Sequence, residues 1–194
     1  FASSKNMFFK MARIKLHDKY FIPSLPNEEI ERAIEAVAVK ISEDYRDKEC
    51  PIFLSVLNGS FMFTASLMKH IDIQAEVSFI KMSSYDGTQS TGCVKQLLGL
   101  NKNIKGRNVL IVEDIVDTGN TIVELVQLLK EAGAADIKVC TLLLKPESYN
   151  KDINIDYPAL SIPNDFIVGF GLDYDELGRQ YKDIYVLDPN QDPE

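Results

Sequence analysis

The feature that most constrains the fold is a continuous apolar run in the middle of the chain, from Asn108 to Glu113 (NVLIVE). An uninterrupted aliphatic run of this length is typical of a strand that is buried on both faces of a parallel sheet. A polar segment with a glycine follows, and apolar residues then recur at helical spacing from Ile122 to Leu129. Strand, loop and helix in this order predict one unit of a parallel α/β sheet with right-handed crossovers.

The same alternation extends through most of the chain. We predict helices over 27–45, over 61–70 and from about 120 to a stop at 132–133, and strands over 51–56, 77–79, 94–100, 108–113 and 137–144. From Ile153 on, short strands around 166–168 and 184–187 are expected to form a small hood over the edge of the sheet. The predicted fold is a single α/β domain over residues 1–194, in which helices flank a central, mostly parallel sheet.

Composition and charge exclude several classes of protein. Lys and Arg number 21 against 29 Asp and Glu, and the net charge of -8 disfavours nucleic acid as a partner. The 2 histidines share no short spacing, so any metal is expected to be held by oxygen ligands. The 3 cysteines are too scattered for a disulfide framework or a zinc knuckle, which favours a reducing, cytoplasmic setting.

Two stretches resemble membrane or targeting signals only superficially. Residues 50–68 carry no charge, but Pro51 and the Asn58-Gly59 pair interrupt them, so they predict a strand, a turn and a helix and no membrane contact. Lys5 and Lys10 break up any signal-peptide core at the start of the chain. We expect residues 1–10 to be a flexible or ragged terminus, in part a remnant of an added sequence.

The segment from Val109 to Thr121 (VLIVEDIVDTGNT) carries the groups that bind a sugar phosphate. Ligands of open α/β sheets bind outside the carboxyl ends of the strands, and a helix N-terminus offers N–H groups to a phosphate. Gly119 allows the backbone to approach closely, and two threonines add hydroxyl donors. Glu113 and Asp114 would repel a phosphate, so they suit sugar hydroxyls or a hard cation.

The same segment is also compatible with a purely structural role. On spacing alone, the acidic pair could be a solvated strand end and Asp117 an ordinary N-cap. Other phosphate motifs are missing, since the sequence has no Gly-x-x-x-x-Gly-Lys-Ser/Thr loop and no Gly-x-Gly-x-x-Gly after a strand. P-loop NTPases and nicotinamide-dependent Rossmann enzymes are therefore disfavoured.

The segment 109–121 resembles the phosphoribosyl pyrophosphate signature of type I phosphoribosyltransferases. Further motifs, in unbroken order from about residue 52 to residue 187, are similar to hypoxanthine and hypoxanthine-guanine phosphoribosyltransferases: 57–61 (their pyrophosphate loop), 83–92 (their flexible catalytic loop), 144–145, 165–169 and 172–174 (their purine pocket), and Arg179. The resemblance implies the type I fold and a role in purine salvage. The 5-phosphoribosyl group would pass from phosphoribosyl pyrophosphate to N9 of hypoxanthine, and also of guanine, releasing IMP or GMP and pyrophosphate.

The resemblance also implies a role for each matching residue. Asp117 would be the catalytic residue, facing N7 of the purine. Phosphoribosyl pyrophosphate would be bound by Leu57, Asn58, Gly59, Ser84, Tyr85, Glu113, Asp114, Asp117, Thr118, Gly119, Asn120, Thr121 and Arg179. The purine would be bound by Lys145, Phe166, Ile167 and Asp173, and Mg²⁺ by Glu113, Asp114 and Asp173.

The pyrophosphate loop departs from the family pattern at one position. Asn58 stands where the family commonly has lysine, so a positive charge near the leaving group is missing and the backbone amides of 58–60 are expected to bind instead. The resemblance implies a non-prolyl cis peptide bond between Leu57 and Asn58. It also implies that residues 81–94 close over the reaction centre, and we expect a homodimer or a homotetramer.

Two alternative functions stay open at this point. One is a regulator of the same fold that binds phosphoribosyl pyrophosphate or a purine without turnover, which the negative charge and the presence of both Lys145 and Asp173 disfavour. The other is an enzyme that prefers xanthine, because the sequence does not rank the 6-oxopurines. Adenine is disfavoured, since the ammonium group of Lys145 cannot accept a hydrogen bond from an exocyclic amine.

Overall fold

The computed structural model describes residues 12–82 and 103–192. Its elements in chain order are β1 (Ile14–Leu16), β2 (Lys19–Leu25), α1 (Asn27–Tyr45), β3 (Ile52–Leu57), α2 (Phe61–His70), β4 (Glu76–Lys81), β5 (Asn108–Val116), α3 (Asn120–Glu131), β6 (Asp136–Leu144), β7 (Tyr157–Ser161), β8 (Ile167–Val168) and β9 (Ile184–Leu187). The three predicted helices are confirmed. Apolar residues at helical spacing form the buried side of each one.

A five-stranded sheet in the order β4-β3-β5-β6-β7 forms the centre of the molecule, and all its strand pairs are parallel. One apolar core lies between the sheet and the helices α1 and α2, and a second core lies between the sheet and α3. Strand β5 supplies alternate residues to the two cores, with Leu110 and Val112 in the first and Val109 and Ile111 in the second. The predicted α/β fold, with helices on both faces of a parallel sheet, is confirmed.

The hood is a second, antiparallel sheet in the order β1-β2-β9-β8, so the two ends of the described chain build it together. The prediction that everything from Ile153 on belongs to the hood is wrong, because β7 pairs in parallel with β6 as the edge strand of the central sheet. Tyr157 anchors β7 there: its ring is buried, and its hydroxyl donates to Asp44 Oδ2 at 2.7 Å on α1. The hairpin of β1 and β2 was not predicted.

The strand β5 is longer than the apolar run that predicts it. Pairing with β6 continues as far as Val116 opposite Leu144, so Glu113 and Asp114 lie within the strand and not in the loop after it. The structural interpretation of Asp117 is also wrong. The N-cap of α3 is Gly119, which has a φ of 82°, and within the described residues no side chain caps this helix.

Several predictions fall outside the described residues. These are the terminus 1–10, most of the loop 81–94 with Ser84 and Tyr85, and the strand at 94–100. The assignment of residues 1–194 to a single domain stays a prediction. Among the described residues, no helix combines the length and the apolar character that crossing a membrane requires.

Candidate active site

The carboxyl ends of β5 and β6 bring Asp117 and Lys145 together. Each residue follows its strand directly, and Lys145 Nζ lies 3.0 Å from Asp117 Oδ2. The Lys145 side chain is only 9% exposed, whereas that of Asp117 is 44% exposed. Lysine is rarely buried unless it is paired, so this lysine is held as an ion pair at the floor of the site with its partner facing solvent.

A cavity of about 280 Å³ opens above this ion pair. Its lining combines residues of the sheet edge with residues of the hood: Asp114, Ile115, Asp117, Lys145, Phe166, Ile167, Leu172 and Asp173. All four residues predicted to bind the purine are therefore brought together around one space with Asp117. Ile115 was not predicted as a site residue, because an aliphatic residue inside an apolar strand gives no signal that distinguishes a cavity wall from the core.

Phe166 forms the wall that the hood contributes. Its side chain is 45% exposed, which is unusual for a large aromatic residue beside a core. The next residue, Ile167, is buried because it pairs in β8 with Val186 of β9. The two adjacent residues thus have different roles: the ring of Phe166 faces the cavity, and Ile167 anchors the strand.

Asp173 and Arg179 form an ion pair on the far side of the cavity. Arg179 Nη2 lies 2.9 Å from Asp173 Oδ1, and Arg179 Nη1 donates to the Gly171 carbonyl at 2.9 Å. The backbone N–H of Glu176 donates to Asp173 Oδ2 at 2.8 Å. Each carboxylate oxygen still has lone pairs available, so Asp173 is held in place without being saturated.

The predicted pyrophosphate loop lies against this ion pair and against Asp114. The peptide bond between Leu57 and Asn58 is cis, as predicted. A Cβ atom on Gly59 would overlap the carboxylate of Asp114, and a Cβ atom on Gly171 would overlap the carbonyl oxygen of Gly59. Glycine is required at both positions, because two loops and a strand meet there with no room for a side chain. Gly171 was not predicted.

Three hydroxyl groups support this loop from below. Ser55 Oγ in β3 lies 2.7 Å from both Ser60 Oγ and Thr64 Oγ1, and all three side chains are buried. Ser60 also donates to the Val56 carbonyl. Buried polar groups that are fully paired hold a loop in one conformation, which fixes the backbone amides that precede α2.

Burial dominates the electrostatics of the two adjacent acidic residues of β5, Glu113 and Asp114. Glu113 is buried, and among the described residues its Oε2 has no hydrogen-bond partner. Burial raises the pKa of Glu113 well above its usual value, and Asp114 adds to this effect. Burial likewise raises the pKa of Asp114 to about 6, although backbone hydrogen bonds and Arg179 oppose the shift. These carboxyl groups are placed at a cost in stability, which is typical of functional sites.

The start of α3 provides an anion-binding cradle next to Asp117. The left-handed conformation of Gly119 directs the chain into the helix, and a Cβ atom there would overlap the ring of Tyr149. Thr118 and Asn120 are exposed and Thr121 is half-buried. Backbone N–H groups in the first turn of a helix suit a phosphate group.

The carboxylates fit Mg²⁺ in the way that this ion is usually bound. No group of three or more His, Cys, Asp or Glu side chains within residues 12–82 and 103–192 has the arrangement of a complete metal site. Mg²⁺ instead favours one or two carboxylates and completes its shell with water and substrate oxygens. Asp114 and Asp173 line the cavity together, which fits this mode of binding, whereas Glu113 is not among the residues that line it.

Comparison with known proteins agrees with this site. The sequence profile of the phosphoribosyl transferase domain matches residues 25–175. The chain belongs to this phosphoribosyltransferase family. It is 44% identical over 162 residues to the hypoxanthine-guanine phosphoribosyltransferase of Streptococcus pneumoniae, covering 83% of this chain and 89% of the relative. It is 45% identical over 163 residues to the corresponding enzyme of Lactococcus lactis, covering 84% of this chain and 88% of the relative.

Solved structures give the same result. A variant of the hypoxanthine phosphoribosyltransferase from Trypanosoma cruzi, in a ternary complex with substrates, superposes with a TM-score of 0.80 at 40% identity, covering 86% of this chain and 95% of that one. A hypoxanthine-guanine phosphoribosyltransferase from Bacillus anthracis gives a TM-score of 0.78 at 36% identity, with 84% and 96% covered. The predicted family, the type I fold and the assignment as a purine salvage transferase are confirmed. The roles of the individual residues stay predictions.

Proposed function

We propose that this protein transfers the 5-phosphoribosyl group of phosphoribosyl pyrophosphate to N9 of hypoxanthine and of guanine, releasing pyrophosphate. One observation carries the proposal. A buried lysine, an aspartate and an exposed aromatic ring from two separate sheets line one cavity, and the start of α3 lies beside it. Lysine suits a 6-oxo acceptor, the ring suits a flat base, and the helix start suits a phosphate.

Each substrate group has a complementary part of the site. The 5′-phosphate is bound by residues 117–121 at the start of α3, and the ribose hydroxyls by Glu113 and Asp114. Pyrophosphate is bound by the loop that begins at Leu57, through the backbone amides of 58–60, with Arg179 as a nearby positive charge. Ser84 and Tyr85 lie outside the described residues and are proposed to cover the pyrophosphate.

The purine is held by contacts from three directions. Phe166 stacks on its face, the backbone of Ile167 contacts its edge, and Lys145 donates a hydrogen bond to its 6-oxo group. The ion pair between Lys145 and Asp117 supports this arrangement, because it holds both polar groups at the cavity floor before the base arrives. Asp117 accepts the hydrogen of N7 as N9 attacks C1′, and thereby orients the base for the reaction.

Departure of pyrophosphate leaves a sugar with oxocarbenium character, and the acidic floor of the site stabilises it. Asp114 lies on the strand that would lie below the ribose, and its carboxylate would favour the transition state electrostatically. Mg²⁺ would be held by Asp114 and Asp173, with Glu113 as the further carboxylate that the resemblance implies, and it would supply positive charge for the leaving pyrophosphate. The raised pKa values of the two acidic residues of β5 are consistent with carboxylates placed for function.

A spectrophotometric assay tests this proposal. The purified protein is mixed with phosphoribosyl pyrophosphate and Mg²⁺ and with hypoxanthine, guanine, xanthine or adenine in turn. We expect turnover with hypoxanthine and guanine and none with adenine. A clear preference for xanthine would favour the xanthine enzyme, and binding of substrates without turnover would favour the regulator; either result would contradict the proposal.

We propose further that the protein acts in the cytoplasm as a homodimer or a homotetramer. The scattered cysteine usage, typical of a reducing compartment, supports the cytoplasmic setting, and the assembly state is the expectation from the family resemblance. Light scattering of the purified protein tests the assembly state, and a monomer at working concentration would contradict it.

A further inference from the structure

The turn of the β1–β2 hairpin holds the segment that follows Asp173. Tyr174 donates from its hydroxyl to Asp18 Oδ1 at 2.7 Å, and Lys19 Nζ lies 5.5 Å from the centre of the Tyr174 ring. His17 packs edge-on against the same ring with centroids 5.7 Å apart, and its Nε2 lies 3.0 Å from the Asp175 carbonyl oxygen. Three consecutive turn residues therefore contact two consecutive residues more than 150 positions later in the chain.

Tyr174 in turn packs against the ring that lines the cavity. Phe166 and Tyr174 meet edge to face at 5.7 Å, and Phe21 of β2 lies 6.0 Å from Phe166 and 6.1 Å from Tyr174. Phe21 is fully buried, whereas Phe166 is nearly half-exposed. The buried ring of Phe21 and the half-buried ring of Tyr174 thus support the exposed ring of Phe166, at separations at which aromatic pairs attract each other.

The hairpin is itself fixed at its opposite side. The Gln191 side chain accepts from the Tyr20 backbone N–H at 2.9 Å and donates to the Tyr20 carbonyl at 3.1 Å. Arg13 forms a 2.7 Å ion pair with Asp188. The turn at 17–19 is thus attached to the rest of the hood and can act as a rigid support.

We propose that Asp18 is a positioning residue for the purine: it holds Tyr174, and Tyr174 with Phe21 fixes the ring of Phe166 against which a 6-oxopurine stacks. This inference rests on the proposed function. The family profile matches residues 25–175, so the turn at 17–19 precedes the matched residues. A ring that is already immobilised loses less conformational entropy when the base binds, which raises affinity without a new contact.

The chain offers a matched control for the test. Tyr157 donates to Asp44 Oδ2 at the same 2.7 Å distance, on β7 in the central sheet and away from the cavity lining. Tyr174→Phe and Tyr157→Phe each remove one hydroxyl group that donates a hydrogen bond to one carboxylate. Asp18→Ala deletes the acceptor on the hood side, and Asp18→Asn retains an oxygen that can accept.

The experiment measures kcat and both KM values for these variants and for the double variant Asp18→Ala/Tyr174→Phe. We expect Tyr174→Phe and Asp18→Ala to raise the KM for hypoxanthine by about two- to tenfold, the worth of one hydrogen bond, with the KM for phosphoribosyl pyrophosphate and kcat unchanged. The double variant should be no worse than either single one, because both remove the same bond. Asp18→Asn and Tyr157→Phe should keep the wild-type KM for hypoxanthine.

Other results would overturn the inference. An unchanged purine KM in Tyr174→Phe, or an equal rise in Tyr157→Phe or in the KM for phosphoribosyl pyrophosphate, means that the bond only stabilises the fold. Thermal melting of each variant accompanies the kinetics, and the Asp18→Ala and Asp18→Asn pair tests the same bond if Tyr174→Phe does not fold. An inactive wild-type protein would instead overturn the proposed function and the inference with it.

Discussion

The edge of the parallel sheet and the hood face each other across one cavity, but they are built in different ways. The sheet edge takes its polar groups from one continuous segment, 113–121, together with Lys145 after the neighbouring strand. The hood takes Phe166 and Asp173 from one part of the chain and supports them with a hairpin at 14–25, which lies far away in the sequence. Local sequence determines the first region, and long-range packing determines the second.

The two regions also supply different chemistry. The sheet edge holds carboxylates, an ion pair and a helix start, which act on charge. The hood holds an aromatic cluster, which acts mainly on shape and orientation, beside its aspartate–arginine pair. Variants of the sheet edge should therefore change turnover, and variants of the aromatic cluster should change purine affinity.

The largest expected effect is on the sheet edge. Asp117→Asn keeps the size of the side chain but provides no carboxylate to accept the N7 hydrogen, so kcat should fall on the order of 10²–10⁴-fold. Binding of phosphoribosyl pyrophosphate and the melting temperature should be retained. Asp47→Asn, at an exposed position after α1, is the matched control and should keep its kcat. An unchanged kcat in Asp117→Asn would remove this residue from the mechanism.

The loop 57–60 contacts both the sheet edge and the hood, and it gives the second prediction. Gly59→Ala forces a methyl group into the space of the Asp114 carboxylate, so the loop or the carboxylate must move. Overpacking of this kind costs about 1–3 kcal/mol, and we expect binding of pyrophosphate to weaken by about 10-fold or more. Calorimetric titration with pyrophosphate and Mg²⁺ measures it. Normal binding in Gly59→Ala would contradict the assignment of the loop.

Lys145 is an exception to this division, because it lies on the sheet edge but is assigned to the purine. Its substitution should therefore change purine affinity. Lys145→Ala leaves the 6-oxo group unpaired in a desolvated pocket, which costs about 1–3 kcal/mol. The KM for hypoxanthine should rise by about 10-fold or more, and binding of phosphoribosyl pyrophosphate should change much less. Equal losses for the two substrates would show that Lys145 only holds Asp117.

The same division explains what the sequence can predict. Helix α1 has the predicted bounds, because apolar residues at helical spacing and acidic residues at its start are local signals. Glu113 was assigned to the correct strand, but Asp114 was placed beyond its end, since the pairing of β5 with β6 beyond Glu113 is not visible in either strand alone. The overlap between Gly59 and Asp114, and the support of Phe166 by Phe21, join residues far apart in sequence. A single sequence carries no periodicity that reports such contacts.

Substitution of Asp114 should have a smaller effect than the three changes above, and it should raise the stability of the protein. Its raised pKa of about 6, against 3.8 in the unfolded chain, means that the folded protein retains a proton that the unfolded chain has lost. Without Mg²⁺, stability should therefore fall as the pH rises from about 4 to about 6. Asp114→Asn removes this dependence, so its free energy of unfolding at pH 7 should exceed that of the wild type by about 1–2 kcal/mol while activity falls. Urea unfolding in the presence of a chelator measures it, and a less stable Asp114→Asn at pH 7 would contradict the assigned cause.

The smallest expected effect compares two tyrosine–aspartate hydrogen bonds of the same 2.7 Å length, Tyr157–Asp44 at the central sheet and Tyr174–Asp18 in the hood. Tyr157 of the central sheet lowers the pKa of Asp44 on α1, and Tyr174 lowers the pKa of Asp18 in the hood, in both cases mainly through its hydrogen bond. A lowered pKa in the folded state adds stability above the unfolded value of 3.8, and this stability is lost as the pH falls through the folded pKa.

Tyr157→Phe and Tyr174→Phe should therefore both flatten the acid limb of the stability curve below a pH of about 4. Both aspartates are exposed, so each change should be small, but its direction is fixed by the sign of the pKa shift. Thermal melting between pH 2.5 and pH 5 in steps of about half a unit measures it. Only Tyr174→Phe should combine this loss with a raised purine KM, because only its ring lies between the hairpin and Phe166. A steeper acid limb in either variant would mean that the tyrosine hydroxyl does not stabilise the charged aspartate.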